Sequence, residues 1–116
     1  MIESAIVAAL ETIQELSGKV YPLNAPEHTQ LPFCVYVTSG TNEDDSLGGW
    51  IGSYETGMEI NIIHKTYASM KALSAKVVDK LKQMDSATVF IEENQPEIFE
   101  REIGAYRKII NLRIAY

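Results

Sequence analysis

Residues 51–64 read Ile-Gly-Ser-Tyr-Glu-Thr-Gly-Met-Glu-Ile-Asn-Ile-Ile-His. The stretch alternates. Tyr54, Thr56, Met58, Ile60 and Ile62 share one side of an extended chain, and Glu55, Gly57, Glu59 and Asn61 share the other. A period of two residues is the mark of a strand with one face buried and the other half-polar. A sheet built on such a strand needs a layer to cover its apolar face. Gly57 marks a candidate bulge.

The covering layer is legible on both sides. Downstream, Met70, Leu73, Val77, Leu81 and Met84 recur at helical spacing, which predicts a helix over 67–84 with Thr66 as its N-cap. Lys71, Lys76, Lys80 and Lys82 lie on its other faces. Upstream, Ile2, Ala5, Ile6, Ala9, Leu10, Ile13 and Leu16 form one stripe and predict a helix over 2–16. Ser17-Gly18 ends it, with Gly18 suited to a left-handed cap. A short extended piece over 19–21 then runs into a surface loop bracketed by Pro22 and Pro26.

The remaining segments supply strands. Phe33 to Ser39 is apolar on both sides at first, as in a central strand. Residues 40–49 read as a polar loop closed by Gly48-Gly49, too long for a plain hairpin turn. Thr88 to Glu92 reads as a short strand, and 93–104 as an acidic connection with room for one helical turn. Ala105 to Tyr116 alternates again, with Tyr106, Ile110, Leu112, Ile114 and Tyr116 opposite Arg107, Asn111 and Arg113. Lys108 falls on its apolar side and is expected near an edge or snorkelling outward. The fold class is α+β: one domain over 1–116, a two-layer sandwich whose mostly antiparallel sheet of about four to five strands is covered by two helices. Glu55 and Glu59 should share the outer face with Arg107 and Arg113.

Composition narrows the function classes. The 116 residues are 46% hydrophobic and 22% charged, a globular balance. No apolar run approaches the roughly 20 residues of a membrane span. The first residues lack a basic segment followed by a long apolar one, so no secretory signal is expected. The single cysteine, Cys34, excludes an internal disulfide and any cysteine-built zinc site. A net charge of −6 disfavours nucleic acid as the main partner. The charge is uneven: residues 1–64 hold nine acids against Lys19 alone, whereas 65–116 hold nine bases and seven acids. That pattern fits solvated faces, or an acidic surface of one subunit meeting a basic surface of another.

Chemistry-bearing motifs are missing. There is no glycine-rich phosphate loop and no G-x-S-x-G elbow. His28 and His64 form no metal-spaced pair and read as surface or edge histidines. Cys34, in an apolar strand, reads as a small hydrophobe. Glu92 and Glu93 are adjacent on a strand and point to opposite faces, poor geometry for shared acid–base work. Glu43, Asp44 and Asp45 do not match a calcium loop. They read as a solvated loop, a protein-contact loop or, least, a metal site. Trp50 anchors that loop on the core or stands at an interface. The candidate protein-interaction residues are Glu43, Asp44, Asp45, Leu47, Trp50, Lys71, Lys76 and Lys80. No catalytic, cofactor or metal residue is assigned.

The run Val20-Tyr21-Pro22, Ala25-Pro26, Leu31-Pro32-Phe33-Cys34-Val35-Tyr36, followed by a polar glycine-containing loop, an alternating strand, a lysine-studded helix and a closing strand, resembles a known family. It is similar to the small tail-completion proteins of long-tailed bacteriophages and prophages, which include tail terminators and tail-to-head joining proteins. The resemblance covers nearly the whole chain in element order and is sharpest over 21–36. It implies an α+β fold, a ring of copies (hexameric in characterised relatives), no enzymatic activity and no cofactor. The implied partners are further copies of the chain, the tail tube protein and the head connector or neck protein. The implied location is the virion tail, after assembly in the host bacterial cytoplasm. A ring requires two unlike patches on each subunit, which the acidic first half and the lysine-bearing helix would supply. The competing class is a small cytoplasmic ligand-binding or enzymatic α+β domain, resting on Glu59, His64 and the acidic loop.

Overall fold

The computed structural model describes residues 2–44, 53–85, 87–92 and 95–115, with only the backbone described for 39–44, 53 and 54. Asp45, Leu47, Trp50, Gly48-Gly49 and Glu93 lie outside the described residues.

The first helix, α1 (Ile2–Glu11), buries Ile2, Ile6 and Leu10. It ends earlier than its apolar stripe predicts. Thr12 turns its hydroxyl back onto the Ala9 carbonyl at 2.6 Å, and Ile13 is extended. A threonine that bonds the preceding turn competes with the helical ladder. A 3₁₀ turn over Gln14–Leu16 follows. Ile13 and Leu16 stay buried, because a spacing of three suits that tighter helix as well as the α-helix. Gly18 takes the expected left-handed conformation, at φ +69°.

Strand β1 (Val20–Pro22) runs parallel to β2 (Phe33–Asp44), with Val20 opposite Cys34. β2 is longer than expected. Its polar end, Gly40 to Asp44, pairs with Ser53 to Gly57 of β3 (Ser53–His64). Ladder bonds to a long partner hold a segment whose composition reads as loop. The bulge sits at Ser39, between Thr38 opposite Met58 and Gly40 opposite Gly57. It is therefore on the strand facing Gly57.

Helix α2 (Tyr67–Lys82) starts as predicted: the Ser69 N–H donates to the Thr66 hydroxyl at 3.1 Å. It crosses from β3 to β4 (Thr88–Glu92). The acidic connection contains a further short strand, β5 (Ile98–Glu100), and a turn closed by the Gly104 N–H on the Glu100 carbonyl. The last strand, β6 (Ala105–Ala115), lies between β3 and β4 and also pairs with β5. The six-stranded sheet has the order β1-β2-β3-β6-β4 and is antiparallel except for β1 with β2. Two of its six strands are three-residue pieces, which periodicity cannot register.

The helices cover one face. Ile6, Leu10, Cys34, Ile60, Ile62, Leu73, Val77, Ile110 and Ile114 form the core between the layers. The other face is not wholly solvated. The loop over 23–32 folds across one end of it, where Ala25, Leu31 and Phe33 pack on Val35, Ile63 and Ala105. Among the described residues no helix is long and apolar enough to cross a membrane.

Cys34 is fully buried, and burial pushes its thiol up to about 12. A thiolate is the reactive form. Cys34 should therefore stay unmodified by a thiol-exchange reagent in the native chain at pH 8 and react fully in denaturant. Fast reaction without denaturant would contradict a buried Cys34.

Candidate interaction surfaces

The expected outer-face register holds. Glu55, Gly57, Glu59, Asn61 and Ile63 of β3 share a face with Arg107, Asn111 and Arg113 of β6. Arg113 Nε lies 3.8 Å from Glu55 Oε1, and its guanidinium sits over the exposed Phe90 ring of β4 at 4.7 Å. Glu59 and His64 fall on opposite faces of β3, so they do not form one site. His64 ends the strand, its Nδ1 accepting the Lys65 N–H at 2.8 Å. Burial lowers its pKa from the ordinary histidine value, with Glu15 acting in the opposite sense. His28 is exposed in the loop over 23–32. Among the described residues no three His, Cys, Asp or Glu side chains group closely enough to hold a metal ion.

The expected interaction residues divide into two sets. Glu43 and Asp44 have their backbones in β2, opposite Tyr54 and Ser53. With Asp45, Leu47 and Trp50 outside the described residues, the acidic set has no described side-chain geometry. The lysines stand on α2, with Lys71 and Lys76 exposed and Lys80 half-buried. Lys76 Nζ donates to Glu15 Oε1 of the same chain at 2.6 Å. Lys71 Nζ lies 3.9 Å from Glu97 Oε1 and 5.9 Å from the centre of the Tyr67 ring. Part of the charge asymmetry between the two halves is thus used within the subunit. Exposed pairs of this kind contribute about 0–1 kcal/mol.

Lys108 stands at a local edge, as one of the two expected alternatives has it, but it is buried there. It lies on β6 between the stretches paired with β4 and β5, with only 5% of its surface exposed. It does not snorkel. Its Nζ donates to Glu97 Oε2 at 3.1 Å, and the Tyr67 hydroxyl donates to Glu97 Oε1 at 3.0 Å. The Lys108 and Tyr67 hydrogen bonds hold the Glu97 carboxyl below its ordinary pKa. The bond to Glu97 in turn raises the Tyr67 phenol. Beside this cluster, Tyr106 packs edge-on against Tyr67 at 5.9 Å and, with its ring tilted, against Phe99 at 4.9 Å. Tyr67 and Phe99 remain exposed there, an apolar corner next to two lysines, while Ile98, opposite Arg107, is exposed on the other face of the sheet.

A cleft of about 650 Å³ opens on the outer face. Val35 and Val37 of β2, Glu59 and Asn61 of β3, and Arg107 form its floor, while the loop from Leu23 to Leu31 and Ile103 form its walls. Sequence reading missed this cleft. The one signal for it is Asn61, a polar residue within an isoleucine run that periodicity assigns to the solvated face yet which is 3% exposed.

Neither a protein-family model nor a curated protein sequence matches the chain. In fold it is similar to a chain of a solved structure described as the virion of a native gene transfer agent (GTA) particle. The match covers 96% of this chain and 84% of that one, with a TM-score of 0.54 and 18% identity. At that identity the likeness is one of fold.

Proposed function

We propose that the chain is a structural subunit of a phage-like particle. In particular, we read it as a tail-completion or tail-terminator subunit. Copies of it form a ring that caps the tail tube and joins it to the head connector. The observation that carries this reading is the likeness, over 96% of the chain, to a component of a gene transfer agent virion. The element order and the 21–36 stretch support the narrower, tail-completion part.

The exposed chemistry is of a kind suited to such a role. A ring subunit presents two unlike patches to its neighbours. The acidic end of the β2–β3 pair and the lysines of α2 lie on different elements and carry opposite charge. The exposed corner of Tyr67 and Phe99 has the aromatic make-up of protein contacts. On this reading the subunit acts through fit and charge register. It forms no covalent bond and requires no cofactor.

Electron microscopy of particles made without this chain tests the reading. Tails of irregular length, or heads and tails left unjoined, are the expected result. Tails of normal length joined to heads would overturn it.

A further inference from the structure

The outer-face cleft gathers unusual features of the described chain. Its lining contains both buried side-chain atoms that lack a hydrogen-bond partner among the described residues, Asn61 Oδ1 and Arg107 Nε. It also contains the two described non-glycine residues with left-handed backbones, Leu23 at φ 66° and His28 at φ 63°. Orphaned buried polar atoms are rare in folded proteins and each calls for a physical explanation. Non-glycine residues at positive φ are sparsely populated and cluster at ligand clamps.

The two orphans are complementary. Asn61 Oδ1 is an acceptor; the amide's other end, Nδ2, donates to Glu59 Oε2 at 3.0 Å. Arg107 Nε–H is a donor. Glu100 Oε1 lies 3.2 Å from it, near enough for charge attraction but out of line for a hydrogen bond. Asn61 faces Ile109 and Arg107 faces Ile63, so the two side chains are diagonal neighbours on one face. Such neighbours stand about 7–8 Å apart at their backbones, closer at their side chains. A group that pairs with both must offer a donor and an acceptor a short distance apart. The backbone of an extended peptide does so.

The surroundings set the rest of the chemistry. Leu31 and Phe33 give an apolar wall beside the Val35 and Val37 part of the floor, and Leu23 and Ile103 stand exposed at the rim. Glu27 and Glu59 line the cleft against Arg107, which already has Glu100 beside it, so the local field is acidic. The volume lies inside the range of about 300–1,000 Å³ usual for ligand sites.

We propose that this cleft binds an extended, basic peptide segment of a partner protein, seating a large aliphatic or aromatic side chain on the apolar wall and a peptide backbone between Asn61 and Arg107. The strands form the floor beneath the segment, and the loop over 23–31 flanks it on one side. Peptide binding at this cleft does not depend on the virion reading.

The test uses the full chain and fluorescein-labelled octapeptides whose central pair is Leu-Leu, Phe-Phe or Ser-Ser, flanked by lysines or by glutamates, with binding read by fluorescence anisotropy. Lysine-flanked Leu or Phe peptides should bind at least about tenfold more tightly than the Ser or glutamate-flanked ones. Leu23→Asn and Ile103→Ser, both at exposed positions, should weaken binding while leaving thermal melting unchanged. Asn61→Leu should weaken it by about tenfold or more. Equal binding of Leu and Ser peptides, no binding below millimolar peptide, or binding indifferent to the rim variants would overturn the proposal. So would sedimentation showing that the chain self-associates and that the rim variants abolish it, since a second copy would then be the occupant.

Discussion

Replacing Ile60 by alanine should destabilise the chain by about 2–5 kcal/mol, the usual range for truncating a fully buried branched aliphatic residue. Ile60 has no exposed surface and lies in the middle of β3, opposite Tyr36 on one side and Ile110 on the other. All three belong to the core between sheet and helices. The neighbours are strands held by ladder bonds on both sides, so the space left by the missing carbons closes only in part. A domain of this size is stable by roughly 5–15 kcal/mol, so the loss is a large share of the total. Thermal melting should fall by on the order of 10–20 °C. Thr88→Ala, at an exposed position on an edge strand, is the control and should stay within about 0.5 kcal/mol. A loss below about 1 kcal/mol at Ile60 would mean that this face of β3 is not the core face.

The second large effect lies at Glu97. Glu97→Gln should destabilise the chain far more than Lys76→Ala, although both remove one charge of an ion pair. Lys76 and Glu15 are both substantially exposed, and water replaces what the substitution removes. Lys108 is buried, and without the Glu97 charge its ammonium keeps the desolvation penalty with less to offset it. Adding Lys108→Met to Glu97→Gln should recover most of the loss, because an apolar side chain then fills the site. A double-mutant cycle reads the coupling directly. Additive losses would show that the pair does not act as a unit.

The same pair fixes a pH dependence. Glu97 has a folded-state pKa below its unfolded value, so the folded chain binds fewer protons at this site as the pH falls. Its contribution is fully present above the unfolded carboxylate pKa and is lost as pH falls through the lower, folded pKa. His64, whose pKa burial also lowers, acts in the same sense from a higher pH: below the ordinary histidine range the unfolded chain takes up the proton more readily than the folded one. Stability should therefore decline on acidification in two stages, and Glu97→Gln should flatten the lower one.

How far these features can be read from sequence depends on how local their causes are. The face of β3 that holds Met58, Ile60 and Ile62 follows from a period of two, and α2 with its Thr66 cap from helical spacing and one hydroxyl. The sharing of a face by Glu55 and Arg113 follows from two alternating strands once they pair. What escapes is set by distant contacts. The polar half of β2 is a strand because β3 lies beside it. Lys108 is tolerated inside because Glu97 and Tyr67 arrive from two other elements. The cleft exists because the loop after β1 folds across the sheet, and only Asn61, a polar residue among isoleucines, announces it in the chain. Of the residues expected to mediate contact, the α2 lysines are placed, with Lys76 engaged by Glu15.

The proposal that the chain works by assembly is tested most directly by cryo-electron microscopy of intact particles from the genome that encodes it. The predicted result is density for this fold, repeated around the axis in a closed ring where the tail meets the head. Complete particles with no density for the chain at that junction or elsewhere would contradict it.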